Sequence, residues 1–328
     1  MAQEPRMFLR SLFDAAVTAA DPARLLPGRL PTRPLGRTVV IGAGKAAARM
    51  ARTVERDWGA PLEGLVVTRY AWKPCERIGV MDAAHPLPDA DGREATMRIL
   101  DLVQNLSADD LVICLLSGGG PALLELTPTR ITLDDIRKAG RSLLRSGARI
   151  AEINRVRKHL SLVKGGRLAV AAHPARIATY VISDVPGDDP STIASGPTVP
   201  DPTTFCDTLA ILDRYAIEEP VPVLDHLRQG ARASRGRGGE GGAGGETPKP
   251  GDPSFAGDEV VVPATAHSAI DAAAQAARVI GVRPVVLGYE LEGEARLVGH
   301  TPGRRAPASL TLGLLNFLAF YSPAAKRR

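Results

Sequence analysis

Short aliphatic runs alternate along most of the chain with segments in which apolar residues recur every three or four positions. The first pattern predicts buried strands, and the second predicts amphipathic helices. The helix-period segments include 8–20, 89–106 and a segment preceded by Thr132, a good N-cap residue. Strands are predicted at 64–70, 77–83, 111–116 and 176–183, and the stretch 38–50 predicts a strand, a glycine turn and a helix. This alternation predicts an α/β fold with a doubly wound, mostly parallel, Rossmann-like sheet.

The pattern breaks within 232–257, which is rich in Gly, Pro and charged residues. Such a stretch cannot bury a core and predicts a flexible linker. Beyond it, EVVVPA, a helix at about 268–279 and PVVLG form a strand–helix–strand unit. We therefore predict an N-terminal domain (1–231), the linker, an incomplete second α/β domain (258–299) and a divergent tail (300–328).

Composition and charge narrow the function classes. The net charge is +5, but basic residues are interspersed with acidic ones and aromatic residues make up only 4% of the chain. This disfavours nucleic-acid binding and suits an enzyme that handles anionic substrates. Cys75, Cys114 and Cys206 have no paired spacing, so neither a disulfide framework nor a zinc site is predicted.

The N-terminus lacks the h-region of a signal peptide, and the apolar run 306–321 is shorter than the roughly 20 residues of a spanning helix. These features predict a cytoplasmic protein without a membrane anchor. A homo-oligomer stays an open alternative.

The sequence GAGKAA follows the first predicted strand. Gly42, Gly44 and Ala47 match the glycine pattern of dinucleotide-binding turns, in which the backbone approaches a phosphate at a helix N-terminus. Lys45 lies inside this turn, where a dinucleotide fold does not need a lysine. The alternative is a tight turn beside an exposed lysine.

The sequence SGGGPALL directly follows the strand at 111–116. Ser117, Gly118, Gly119 and Gly120 predict a loop of small residues whose N–H groups bind a phosphate or a carboxylate, at the start of a helix opened by Pro121. A permissive loop without a ligand is the alternative.

A row of polar residues follows one side of the predicted helix in INRVRKHLSLVKGG. Asn154, Arg157, Lys158 and Ser161 are spaced so that they share a face, which can clamp phosphates. An ordinary solvated face explains the same spacing.

Acidic residues follow the strand at 176–183. Asp184 and Asp188 predict Mg²⁺ ligands beside substrate phosphates, and Asp184 also predicts a base for a hydroxyl group. Ser195, in the next glycine-containing loop, is a candidate substrate contact. His85 lies in a proline-rich loop where it either contacts the substrate or is structural.

From the residues alone, an α/β enzyme that gathers anions with glycine loops and lysines is predicted, and phosphoryl transfer fits it best. An NADPH-dependent reductase is weakened because no acidic residue follows the second strand, although Arg69 there suits NADP. A remnant that only binds a small anion is the third alternative.

Six ordered motifs carry a resemblance to a known family: VVIGAGKAA, HPLPDADG, LLSGGGPALL, EINRVRKHLSLVKGGRLA, ISDVPGDDPSTIASGPTVPDPTT and LEGEAR. They resemble the glycerate 2-kinase family, whose members are often labelled hydroxypyruvate reductases in tartrate-utilisation settings. The resemblance implies phosphorylation of D-glycerate at its 2-hydroxyl group by ATP with Mg²⁺. It also implies a functional lysine at Lys45.

The family's C-terminal domain, known as MOFRL, carries a glycine-rich GGE segment and a GRGGRN-type motif with a functional arginine. Neither motif follows LEGEAR in this sequence. The resemblance therefore implies a truncated form with little or no kinase activity.

Overall fold

A computed structural model describes residues 5–69, 75–236 and 245–289. Its strands are β1 (Thr38–Ala43), β2 (Glu63–Thr68), β3 (Ile78–Asp82), β4 (Leu111–Ser117), β5 (Arg176–Ile182) and β6 (Glu259–Ala264). Its α-helices are α1 (Pro5–Ala19), α2 (Pro22–Leu25), α3 (Ala47–Trp58), α4 (Ala90–Val103), α5 (Gly120–Leu123), α6 (Leu133–Arg145), α7 (Ile150–His159), α8 (Arg167–Ala172), α9 (Phe205–Arg214), α10 (Val221–Gly236) and α11 (Ala266–Val279).

The described strands form one sheet in the order β3-β2-β1-β4-β5-β6, and every neighbouring pair is parallel. Successive residues of β1 point to opposite faces: Val39 packs in the core that contains α4 and α8, and Val40 packs in the core that contains α3. A strand with a hydrophobic core on both faces needs a continuous aliphatic run. The predicted α/β fold with a parallel sheet is therefore confirmed.

Local signals account for several element boundaries. Thr132 caps α6 through a reciprocal capping box with Asp135, as its N-cap position predicts. Asp89 caps α4 by accepting a hydrogen bond from the Gly92 N–H group. The amphipathic helix predicted at 8–20 is α1, whose buried residues Phe8 and Leu12 pack against α11.

The prediction that 258–299 opens a second domain is wrong for its first strand. Strand β6 hydrogen-bonds to β5 and is the sixth strand of the same sheet. PVVLG does not form the predicted second strand, because only Val285 makes a β-bridge. The error arose because a change in composition was taken as a domain boundary.

The predicted linker 232–257 is also only partly correct. Helix α10 continues to Gly236, and the chain after the undescribed residues 237–244 packs against the N-terminal elements. Glu246 and Thr247 are 8% and 1% exposed. The Phe205 N–H group donates to Glu246 Oε1 at 2.8 Å, and Thr247 Oγ1 donates to Asp201 Oδ2 at 3.1 Å.

The predicted tail 300–328, with its apolar run 306–321, lies outside the described residues. Within the described ranges, no helix has the length and apolar character needed to cross a membrane.

The strand order indicates where in the fold the candidate site lies. The connections run in opposite directions on either side of the β1–β4 pair, and open parallel sheets bind ligands at such a switch point, beyond the carboxyl ends of the strands. The residues that follow β1, β3, β4 and β5 at this edge are Lys45, His85, the glycines after Ser117, and Asp184.

Candidate active site

Two glycine segments meet beyond the carboxyl ends of β1 and β4. We call residues 42–47 the first glycine turn and residues 117–120 the second glycine loop. The Lys45 N–H group donates to the Gly118 carbonyl oxygen, and the Ala46 N–H group donates to Ser117 Oγ, both at 2.9 Å. The second loop thus occupies N–H groups at the start of α3 that a dinucleotide fold leaves for a pyrophosphate.

The glycines of the first turn are required by this packing. Gly44 has a φ of +139°, and a Cβ atom there would overlap Ser117 Oγ. A Cβ atom at Gly42 would overlap the Leu115 carbonyl oxygen. The prediction that Gly42, Gly44 and Ser117 contact phosphate is therefore corrected, because their roles are to join the two segments.

The second glycine loop is more exposed than the glycines of the first turn, which are buried. Gly118 and Gly119 are partly exposed, and Gly119 has a φ of +88°. In the part of the chain that the structure describes, their N–H groups have no hydrogen-bond acceptor. Helix α5 has only four residues, so its dipole adds little to these N–H groups.

Three side chains border the second glycine loop. The Asp184 carboxylate occupies the space where a Cβ atom of Gly118 would lie. A Cβ atom at Gly119 would be 3.0 Å from His85 Cδ2 and 3.4 Å from Lys45 Cε. The loop is therefore bordered by a carboxylate at Gly118 and by an imidazole and an ammonium group at Gly119.

Asp184 is an exposed residue, although many protein atoms lie around its carboxylate. This partial removal from bulk water raises the pKa of Asp184, and the positive charge of Lys45 opposes the rise. A carboxylate with a raised pKa is a stronger proton acceptor than an ordinary aspartate.

His85 is half-buried beside a cluster of cations. Burial, followed by the nearby positive charges, lowers the pKa of His85 to about 4. These charges belong to Lys45, Arg69 and Arg157, in that order of effect. The imidazole is therefore neutral at pH 7 and offers one donor and one acceptor to a ligand.

Helix α7 contributes only part of the predicted polar row. Arg157 is partly exposed and within electrostatic reach of His85, and its Nη1 donates to Asn154 Oδ1 at 3.4 Å. Lys158 instead forms a buried ion pair with Asp201 at 3.2 Å. Asn154 and Ser161 are buried as well. The burial of Asn154 and the ion pair of Lys158 with Asp201 weigh against the prediction that these two residues bind phosphate.

Ser195 does not contact the site either. Its side chain is fully buried, its φ is +61°, and within the described chain its Oγ has no hydrogen-bond partner. Its carbonyl oxygen accepts a hydrogen bond from the Gly165 N–H group at 3.0 Å. The predicted substrate contact is corrected to a structural role in this turn.

The two predicted metal ligands, Asp184 and Asp188, have different surroundings. Asp188 Oδ2 lies 3.8 Å from His267 Nδ1, so its carboxylate is directed to the start of α11. Among the described residues, no group of three or more His, Cys, Asp or Glu side chains is placed to hold a metal ion. Asp184 is the predicted ligand that lies against the second glycine loop.

Sequence reasoning considered Arg69 only as a contact for NADP, and it missed Glu125 as a site-related residue. Arg69 directly follows β2 and acts on His85, and its position at a strand end was the available signal. Glu125 is buried and pairs with Lys164, which lies 39 positions later. No periodic pattern links two residues so far apart.

The chain has extensive similarity to known proteins. Residues 8–228 match a family described as "Domain of unknown function (DUF4147)". A "Putative hydroxypyruvate reductase" from Agrobacterium vitis is 48% identical over 311 residues, which cover 94% of this chain and 67% of that protein. A "Glycerate 2-kinase" from Pyrococcus horikoshii is 40% identical over 80% of this chain and 58% of that protein.

A solved structure has the same arrangement of elements. The crystal structure of a glycerate kinase from Thermotoga maritima matches with a TM-score of 0.75 and 35% identity. The match covers 91% of this chain and 68% of that one. The chain thus spans about two thirds of this neighbour and less than two thirds of the Pyrococcus relative.

Proposed function

Because the chain belongs to the glycerate kinase family, we propose that it transfers the γ-phosphoryl group of ATP to the 2-hydroxyl group of D-glycerate. The product is then 2-phosphoglycerate. The observation that carries the proposal is the second glycine loop, where the Gly118 and Gly119 N–H groups have no acceptor among the described residues and the Asp184 carboxylate and Lys45 side chain lie close by.

Anion binding follows from the charges around this loop. Lys45, Arg69 and Arg157 all act on His85. Glycerate and the ATP phosphates are both anionic, so they need several cations and N–H donors within a small space. Phosphoryl transfer is catalysed mainly by positioning and by stabilisation of charge, and these residue types supply both.

Asp184 is proposed as the proton acceptor. Desolvation by the surrounding protein atoms raises its pKa, and the positive charge of Lys45 opposes this rise. As the 2-hydroxyl oxygen bonds to the γ-phosphorus, its proton passes to the Asp184 carboxylate. The bond from that phosphorus to the bridging oxygen breaks, and ADP leaves with the electron pair. Lys45 stabilises the negative charge of the transferred group.

The chemistry of the site fits Mg²⁺ through one carboxylate. Mg²⁺ in kinases is held by one or two carboxylates and the substrate phosphates, and it neutralises phosphate charge. Asp184 is the carboxylate beside the loop that can hold it. A carboxylate bound to a metal is a poor proton acceptor, so the two roles of Asp184 have to be separated by experiment.

An NADPH-dependent hydroxypyruvate reductase is the second candidate, favoured by the strand order and by the name of the Agrobacterium relative. The hydrogen bonds of Lys45 and Ala46 to the second glycine loop weigh against it. They occupy the N–H groups that a pyrophosphate needs.

One coupled assay tests the proposal. The protein is incubated with ATP, Mg²⁺ and D-glycerate, ADP release is measured, and enolase is added because it consumes 2-phosphoglycerate but not 3-phosphoglycerate. Oxidation of NADPH with hydroxypyruvate is measured in parallel. Asp184→Asn is assayed across Mg²⁺ concentrations: a shifted Mg²⁺ requirement indicates a metal ligand, and a lower maximal rate at saturating Mg²⁺ indicates the base.

We further propose that the part of the relatives' length that this chain does not span contributes to the rate. In the family, a C-terminal domain supplies a functional arginine, and removal of a charge clamp from a phosphoryl-transfer site costs about 10³–10⁵ in rate. A chimera with the C-terminal part of the Pyrococcus horikoshii relative should therefore be faster by a comparable factor. Calorimetric titration with glycerate still measures binding in the chain alone. Equal turnover of chain and chimera would show that the described elements suffice.

A further inference from the structure

A buried ion pair lies behind the second glycine loop. The Lys164 side chain is 0% exposed and that of Glu125 is 3% exposed. Burying two charges costs several kcal/mol of desolvation, and apolar residues of similar volume often stabilise a fold as well or better. Stability alone therefore does not explain the pair.

The pair is bonded directly to the loop region. Lys164 Nζ donates to Glu125 Oε2 and, at 2.8 Å, to the carbonyl oxygen of Pro121. Pro121 follows Gly120, so this hydrogen bond fixes the end of the second glycine loop. Lys164 is not a phosphate ligand, because its ammonium group is buried and bonded to protein oxygens.

The backbone next to Lys164 joins further segments. The Gly166 N–H group donates to the Gly196 carbonyl oxygen at 2.7 Å, beside the Gly165–Ser195 bond. The Leu162 N–H group donates to the Leu126 carbonyl oxygen at 2.8 Å. One turn thus holds the segment after the second glycine loop and the turn at Ser195 in fixed relation.

Glu125 also acts on a cation of the site. Burial lowers the pKa of Arg157, and the negative charge of Glu125 opposes this. Glu125 Oε1 is buried and has no hydrogen-bond partner within the described residues. Its charge is therefore shared between Lys164, which it binds, and Arg157, which it influences through space.

We propose that Glu125 and Lys164 are positioning residues, which hold the second glycine loop in the arrangement that binds the anionic substrates. This inference rests on the proposed kinase function for its catalytic consequence. Its structural part, the fixing of the loop through Pro121, is independent of that function.

The test removes both charges together. In the variant Lys164→Met/Glu125→Leu, apolar side chains of similar size replace the pair, so that no uncompensated charge is left. The matched control is Lys158→Met/Asp201→Asn. It removes a second buried ion pair, formed by Lys158 of α7 and Asp201. That pair does not contact the second glycine loop. The amide oxygen of the Asn, at the position of Oδ2, still accepts from the Thr203 and Thr247 hydroxyl groups.

Hydrogen–deuterium exchange of residues 118–124 is the readout that needs no substrate. We expect amide exchange at these residues to accelerate by about tenfold or more in the Lys164/Glu125 variant, with little change in Tm. In the wild type, local opening of this segment has to break the hydrogen bond from Lys164 to the Pro121 carbonyl oxygen, and in the variant this bond is absent. In the chimera, kcat for glycerate should fall by about tenfold or more at unchanged Tm, a loss of transition-state stabilisation. The control should change neither value at these residues.

Each outcome is decisive. Wild-type exchange and kcat in the Lys164/Glu125 variant would overturn the proposal, as would equal acceleration at 118–124 in the control. If the double variant does not fold, Glu125→Gln takes its place, since it keeps the shape and removes only the charge. It should show the same direction of change, and wild-type values would again refute positioning. If wild-type protein neither binds nor phosphorylates glycerate, the proposed function fails while the exchange result still decides the positioning role.

Discussion

The two glycine segments at the switch point have similar composition but different physical roles. In the first glycine turn, Gly44 leaves room for Ser117, and the N–H groups of Lys45 and Ala46 are already bonded. In the second glycine loop, the N–H groups of Gly118 and Gly119 have no acceptor among the described residues. A glycine-rich turn is therefore a ligand site only where the protein leaves its N–H groups unpaired.

The largest expected effect is on stability, at the first turn. Gly44→Ala places a methyl group at a φ of +139° and against Ser117 Oγ. Strain and overpacking together should lower the free energy of unfolding by about 2–4 kcal/mol. Urea unfolding measures this. Gly140→Ala in α6, where a Cβ atom has no neighbour within 4 Å, is the matched control and should not destabilise.

The next effect is on activity, at the second loop. Gly118→Ala displaces the Asp184 carboxylate, which occupies the position of the new methyl group. We expect glycerate-dependent turnover of the chimera to fall by about 10²-fold, within the range for loss of a positioned acid or base. Tm should change much less than in Gly44→Ala. A variant with normal turnover would remove Asp184 from the proposed mechanism.

A smaller effect is expected at the side chain between the two segments. Lys45→Ala should lower kcat/KM by at least about tenfold, or roughly 1.4 kcal/mol of transition-state stabilisation. Arg49→Ala on the same helix is the control, since Arg49 is exposed and pairs with Asp21 at 2.6 Å. Equal kinetics in both variants would make Lys45 a residue of the turn alone.

The smallest effect is a change in titration. NMR should place the midpoint of His85 near pH 4, and His85→Asn identifies the signal. Because the unfolded state binds this proton below about pH 6.5 and the folded state only below about 4, His85 makes stability rise with pH between these values. Lys45→Ala should raise the midpoint but leave it below 6.5, since burial is the larger cause. An unchanged midpoint would place Lys45 too far away to act on His85.

The sequence was sufficient for the sheet because each strand leaves a local signal. Strands β1 and β4 are buried on both faces, which requires the uninterrupted aliphatic runs by which they were predicted. Strand β6 has an equally clear run, but the composition of the preceding segment placed it in another domain. Its pairing with β5 is a contact between residues about 80 positions apart, which no local pattern records.

The site was predictable where chemistry follows from position at a strand end. Lys45, Asp184, Gly118 and Gly119 meet at one edge because parallel strands end there. Arg157 and Lys158 show the limit of this reasoning, since they are adjacent on α7 and both carry a positive charge at pH 7. Their roles differ because Asp201, 43 positions later, pairs with Lys158. The periodicity of a helix gives the face of a side chain but not its partner.

The return of the chain to the N-terminal elements at Glu246 has a practical consequence. Ser234 Oγ donates to Glu246 Oε1 at 3.2 Å, so two points twelve positions apart in sequence are adjacent in space. When two ends are already held together, doubling the length of the connection costs only about 0.6 kcal/mol. The glycine-rich stretch 237–244 is therefore a suitable insertion point for a fluorescent reporter or an affinity tag. A graft there adds a label without altering the strand ends or the two glycine segments on which the chemistry depends.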